Sequence, residues 1–206
     1  MKNKFLKLTG VAAMALMVFA ACSKKDASNP SLTVNGTVAY VGIDSIVNGA
    51  FTTPLADAGG STGNWGTVSY DLFKPGVAGT GDTTHLIFDG AWCGDVSPGS
   101  GRNLGYVDVS GTTLAAISLT TIGGAILNPA SKLGYNSGSA GWYGYDLSTH
   151  QVAPVSGRYV ILYNGASLAA SSVIYVLQIT TITYTETPTG SGLYKGNVSF
   201  KYKRLK

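Results

Sequence analysis

Glutamate is almost missing from this chain of 206 residues, occurring once, at Glu186, and charged residues of all kinds make up only 12%. Strong helix formers are scarce in general, which argues against long helices, because propensity counts only when summed over many positions. Cysteine occurs twice, at Cys22 and Cys93, so no framework of intramolecular disulfides holds the fold. Methionine is absent after Met17, and the two histidines are His85 and His150. A site built on thioether or imidazole ligands therefore has two side chains to draw on. Hydrolytic signatures are missing too. There is no G-x-S-x-G, no H-E-x-x-H and no phosphate-cradling glycine loop, and the aspartates (Asp71, Asp82, Asp89, Asp95, Asp108, Asp146) sit in turns without the paired arrangement a glycosidase needs. No enzymatic activity is expected.

What is present begins with a leader. Lys2, Lys4 and Lys7 precede an apolar run from Val11 to Ala21, about half of the roughly 20 residues that span a bilayer, which is the pattern of a secretory signal. The run ends Val18-Phe19-Ala20-Ala21-Cys22, small residues directly before a cysteine, and resembles a bacterial lipobox. That resemblance implies cleavage before Cys22, acylation of Cys22 and attachment to a membrane, since two or more acyl chains anchor stably at about 0.8 kcal/mol per buried methylene. The expected organisation is a signal over 1–21, an acylated cysteine and tether over 22–31, and one domain over 32–206. Cys22-Ser23-Lys24-Lys25-Asp26 also resembles the charged sorting signal of Bacteroidetes surface lipoproteins, which favours the outer membrane and the cell surface.

Without the leader the charge argument changes. The net charge of +4 includes three leader lysines, and what remains is 11 basic against 10 acidic residues. Four of the basic ones (Lys201, Lys203, Arg204, Lys206) crowd the end, while Thr33 to Phe200 holds five basic against nine acidic residues. A body of that sign lacks the basic stripe that neutralises phosphates, so a nucleic-acid partner is not expected. Cys93, in A-W-C-G-D without a neighbouring base, reads as a small buried apolar residue.

Abundant Gly, Thr, Ser, Val and Tyr point to an all-β, mostly antiparallel fold. Strands are expected over Leu32–Val41, broken at Asn35-Gly36, over Thr67–Phe73, Thr83–Asp89 and Leu104–Val109. Residues 48–66 read as an excursion. In Thr83–Asp89 a period of two places His85 and Ile87 on one face, Leu86 and Phe88 on the other. Thr112–Leu127 fits a short helix or two strands. Val173–Ile182 is apolar on both faces and reads as a central strand, and from Tyr194 to Tyr202 apolar residues alternate with polar ones, one face dry and one wet.

From Trp142 to Tyr202 these residues resemble the HmuY-like haem-binding lipoproteins of Bacteroidetes. The likeness rests on Trp142-Tyr143-Gly144-Tyr145, His150-Gln151-Val152-Ala153-Pro154, the strand Arg158–Tyr163, the turn Asn164-Gly165, Val173–Ile182 and Ser199-Phe200-Lys201-Tyr202. A looser match is Thr84–Phe88, which lacks the family's Trp and Asp. The resemblance implies an all-β scaffold and a cleft that grips haem between two axial ligands, with an outer-membrane transporter or surface complex as partner. The ligands implied here are His150 and His85, with Trp142, Tyr143 and Tyr145 as the aromatic lining. Tyr106 and Tyr135 are further candidates, since tyrosine binds ferric haem. Each has a plainer reading: His150 as a turn residue, His85 as a structural one, the aromatics as core. The alternative function is a surface glycan-binding or interaction module in which exposed Trp65, Trp92 and Trp142 stack on sugar rings.

Overall fold

The computed structural model describes residues 32–35, 38–57, 63–136, 140–149 and 151–206. The leader, Cys22, the tether, residues 36–37 at the expected strand break and His150 lie outside the described residues.

Leu32–Asn35 (β1) and Val38–Val41 (β2) pair antiparallel. Ile46–Thr52 (β3), Val68–Asp71 (β4), Gly76–Val77 (β5), Leu86–Asp89 (β6) and Asp95–Pro98 (β7) follow, with a 3-10 turn at Ala91–Cys93 between the last two. Asn103–Asp108 (β8) leads through a 3-10 turn at Leu114–Ala116 and the helix Leu119–Gly124 (α1) to Asn128–Ala130 (β9). Gly134–Tyr135 (β10), Gly141–Asp146 (β11), Gln151–Pro154 (β12), Arg158–Tyr163 (β13), Ile174–Glu186 (β14) and Tyr194–Arg204 (β15) complete the order. The fold is all-β and mostly antiparallel, as the composition indicated.

A six-stranded antiparallel sheet, β3-β15-β14-β13-β8-β9, forms the frame, and a four-stranded antiparallel sheet, β5-β4-β6-β7, packs over one of its faces. Alternation decides what meets there. Val198, Phe200 and Tyr202 of β15, with Tyr175, Leu177 and Ile179 of β14, face Tyr70, Leu86 and Phe88 in one buried cluster. The opposite face carries Tyr159, Ile161, Ile174 and Val176, covered by Leu114, Ile117 and Ile122. Residues 159–163 of β13 and 174–177 of β14 are thus buried on both sides, which is why these stretches lack a polar face. A bulge between Ile179 and Thr181 adds one residue to β14 and shifts the alternation, so Ile179 and Ile182 share the same cluster. A third sheet, β10-β11-β12, pairs β10 with β11 in parallel and β11 with β12 antiparallel.

Two expectations change, at residues 48–52 and at His85, and one open choice, at Thr112–Leu127, is resolved. Residues 48–52 are strand rather than excursion, as part of β3 alongside β15. Gly49, which suggests a loop in the sequence, is there for packing: a Cβ would stand 2.4 Å from the Phe200 ring. Thr112–Leu127 takes the helical alternative. Ser118 Oγ accepts from Thr121 N at 3.1 Å, and Thr121 Oγ1 accepts from Ser118 N at 3.2 Å, a reciprocal capping box that satisfies two otherwise orphaned donors. His85, expected opposite Leu86 and Phe88, precedes β6 and is buried, its amide donating to Tyr70 O at 2.9 Å. The strand alternation does not extend to it.

Candidate functional site

The residues singled out by sequence are mostly structural in this fold. His85 is 4% exposed, with Nδ1 at 3.1 Å from Asp71 Oδ1 and 3.3 Å from Thr83 O. Its ring stands edge-to-face to Tyr175, 5.5 Å between centroids. Burial, and then the Arg102 guanidinium, lower its pKa, against the opposing pull of Asp71. A neutral imidazole holding its carboxylate partner in the core is closed to a planar ligand, so His85 does not fit an axial position on haem. Trp142 donates from Nε1 to Gly94 O at 2.8 Å and packs on Phe88, and Tyr143 is equally buried. Both belong to the core rather than to a cleft lining. Burial, with the nearby Asp95 charge next, raises the Tyr143 pKa.

Tyr145 is half-buried and stacks on Trp92 at 5.2 Å, and Trp92 stacks on Tyr184 at 5.9 Å. The glycan alternative expected Trp65, Trp92 and Trp142 on the surface. All three are buried, at 1%, 6% and 2% exposure, because the apolar gain of burying an indole outweighs leaving it wet wherever the core has room. Tyr106 lies under the Arg158 guanidinium, 4.0 Å from the ring centroid, while Tyr135 is exposed. Cys93 is buried, its thiol against Trp65 O at 3.3 Å, and burial pushes its pKa up to about 11 with help from Asp89 and Asp95. It is the inert small residue its sequence context suggested.

A cleft lies elsewhere, on the opposite face of the six-stranded sheet from the aromatic core. It measures about 900 Å³. Its floor is a row across three adjacent strands: Asn48 of β3 opposite Lys201 of β15, and Lys201 opposite Gln178 of β14. One wall is Gly111–Ala115, following β8; the other is Ala153, Pro154, Ser156 and Gly157, at the end of β12 and the turn into β13. Both walls are tied down. Tyr159 donates its hydroxyl to Thr112 O, and Lys203 Nζ donates to Ala115 O at 3.0 Å. Across the mouth of the turn Val109 N donates to Gly157 O at 2.7 Å. Gly157, at φ +69°, sits where an added Cβ would meet Ser110 at 3.3 Å, so the close approach of the two walls depends on a glycine there.

Chemically the cleft offers two carboxamides, one ammonium, the hydroxyls of Thr112, Thr113 and Ser156, and apolar surface from Ile46, Leu114 and Pro154. Amides donate and accept at once, whereas the ammonium only donates. Among the described residues that line it there is no carboxylate, histidine or thiol. One trace of this floor is visible in the sequence: Gln178 is the one carboxamide within the apolar run Val173–Ile182. The pairing that brings it beside Lys201 and Asn48 is a matter of register.

A smaller slot of about 440 Å³ lies between β12 and the far half of β14, lined by Gln151, Val152 and Thr181 to Tyr184. Among the described residues no three His, Cys, Asp or Glu side chains gather as a metal site, and no helix is long and apolar enough to cross a membrane. No family model, no curated protein and no solved structure matches the chain.

Proposed function

We propose that this chain is a lipid-tethered binding protein of the outer membrane that takes a glycan in the cleft floored by Asn48, Lys201 and Gln178. The cleft itself carries the reading. At about 900 Å³ it falls within the roughly 300–1,000 Å³ of typical ligand sites, and it sets amides and hydroxyls beside apolar walls. A sugar ring presents the same mixture, hydroxyls around its edge and C–H faces between them. Amides, hydroxyls and one ammonium are groups that hold a sugar by hydrogen bonding, and the site is read as one for binding. Cys22 supplies the membrane anchor, and the HmuY-like likeness supplies a precedent for an all-β lipoprotein that hands its cargo to an outer-membrane transporter or surface complex. The test is binding to an immobilised panel of oligosaccharides with wild type and Gln178→Ala. Retention of a subset, weakened about tenfold or more by the substitution, supports the reading, and retention of none overturns it.

A second reading keeps haem as the cargo, favoured by one observation. The slot between β12 and β14 is lined from Gln151 onward, the residue that follows His150. With His85 held by Asp71, a haem here would draw on His150 as its histidine ligand. Haemin titration should then give a Soret band that shifts in His150→Ala and is unchanged in His85→Ala. Absence of any saturable haemin spectrum removes this reading.

A further inference from the structure

We infer that the cleft selects an acidic sugar, a glycan bearing a carboxylate such as a uronic acid, over its neutral counterpart. This rests on the glycan reading of the same cleft. Residues directly opposite on neighbouring strands stand about 5 Å apart, so Asn48, Lys201 and Gln178 form a row roughly 10 Å long with the ammonium in the middle. Lys201 is the single charged residue among the fourteen that line the cleft. Its side chain makes no hydrogen bond or ion pair among the described residues, in contrast to the next lysine on that face of β15. Lys203 is buried, donates to Ala115 O at 3.0 Å and stands 3.5 Å from Asp44 Oδ1.

The two lysines thus divide their roles. Lys203 holds the wall in place, and Lys201 is left as an unneutralised cation between two amides. A carboxylate has two oxygens with about four acceptor positions. An ammonium flanked by carboxamide NH₂ groups meets them from three directions, while Thr112, Thr113 and Ser156 remain for ring hydroxyls. The cleft suits a single negative charge. A phosphate is matched better by an arginine fork or by backbone amides at a helix start, and the described residues that line the cleft include no arginine.

The experiment is calorimetric titration of wild type and Lys201→Gln with length-matched acidic and neutral oligosaccharides: oligomers of galacturonate and of a glucuronate-containing repeat against oligomers of galactose, glucose and mannose. Wild type should prefer an acidic member by about tenfold, the scale of one charge-assisted hydrogen bond. That preference should shrink as salt is raised and disappear in Lys201→Gln. Equal affinity for acidic and neutral members in wild type overturns the acidic selection and leaves the glycan reading standing. A preference that survives in Lys201→Gln overturns the role given to Lys201. Binding of no oligosaccharide at all overturns both.

Discussion

On one face the six-stranded sheet is sealed by the four-stranded sheet, and Phe200, Phe88 and Tyr70 meet ring to ring, with centroids 5.1 to 6.4 Å apart. On the other, the segment carrying Leu114, Ile117 and Ile122 covers Val107, Tyr159, Ile161, Ile174 and Val176, and the row Asn48–Lys201–Gln178 is left lining an open cleft. Aromatic density in this chain therefore marks where the two sheets are clamped. The uncovered polar row marks where a ligand has room. The two faces should respond in opposite ways to substitution, the first in stability and the second in binding.

The largest expected effect is at the clamp. Phe200 is 1% exposed, and Phe200→Ala should cost about 3–5 kcal/mol by chemical denaturation, the usual range for emptying an aromatic site. A cost below about 1 kcal/mol would mean that the sheets do not pack as described. Gly49→Ala attacks the same contact from the neighbouring strand. Its Cβ would fall 2.4 Å from the Phe200 ring, a clash expected to cost about 1–3 kcal/mol. The two should be coupled: in a Phe200→Ala background the ring is gone and Gly49→Ala should become nearly neutral. Additive costs would separate Gly49 from Phe200.

His85 gives the clamp a pH signature. Its pKa is lowered in the fold, by burial first and the Arg102 charge second, with Asp71 opposing. The unfolded state therefore takes up the proton more readily between the lowered value and about 6.5. Stability from the neutral imidazole is fully present above about pH 6.5 and is lost as pH falls through that window. His85→Gln should cost about 1–3 kcal/mol at pH 7.5, because Asp71 loses a buried partner, and the cost should shrink between pH 7 and 5. The check is denaturation of both proteins over that range. A cost that stays constant with pH would show that the imidazole does not titrate in the core.

The way these residues came to be legible, or not, follows from the same comparison. The apolar faces of β14 and the alternation of β15 can be read directly, because burial on two sides or one side leaves a periodic mark. Cys93 is legible from its local context, in which aspartate rather than a cation stands beside the thiol. Gly49 is misleading because glycine serves both for loops and for close approach of a ring, and only the pairing with β15 distinguishes them. His85 reads as a strand-face residue, yet the alternation starts one residue later and its place is set by Asp71, which is distant in sequence. The floor of the cleft is the hardest to see. Asn48, Lys201 and Gln178 come from three strands, and the bulge between Ile179 and Thr181 shifts the alternation of β14 just beyond the last of them.

The smallest stability effect belongs to that floor, and it tests the comparison most sharply. Asn48 is exposed on β3, with its backbone paired to β15, so Asn48→Ala removes a side chain that supports neither cluster. Its denaturation midpoint should move by no more than about 0.5 kcal/mol in free-energy terms. Oligosaccharide binding should nevertheless weaken by about three- to tenfold, since a bound hydroxyl or carboxylate loses one amide partner, worth about 0.5–1.5 kcal/mol. Phe200→Ala should behave the other way at temperatures where it stays folded, losing stability and keeping its affinity. If Asn48→Ala binds as wild type does while Phe200→Ala does not, the ligand sits against the aromatic side after all, and the open row is only a wet sheet face.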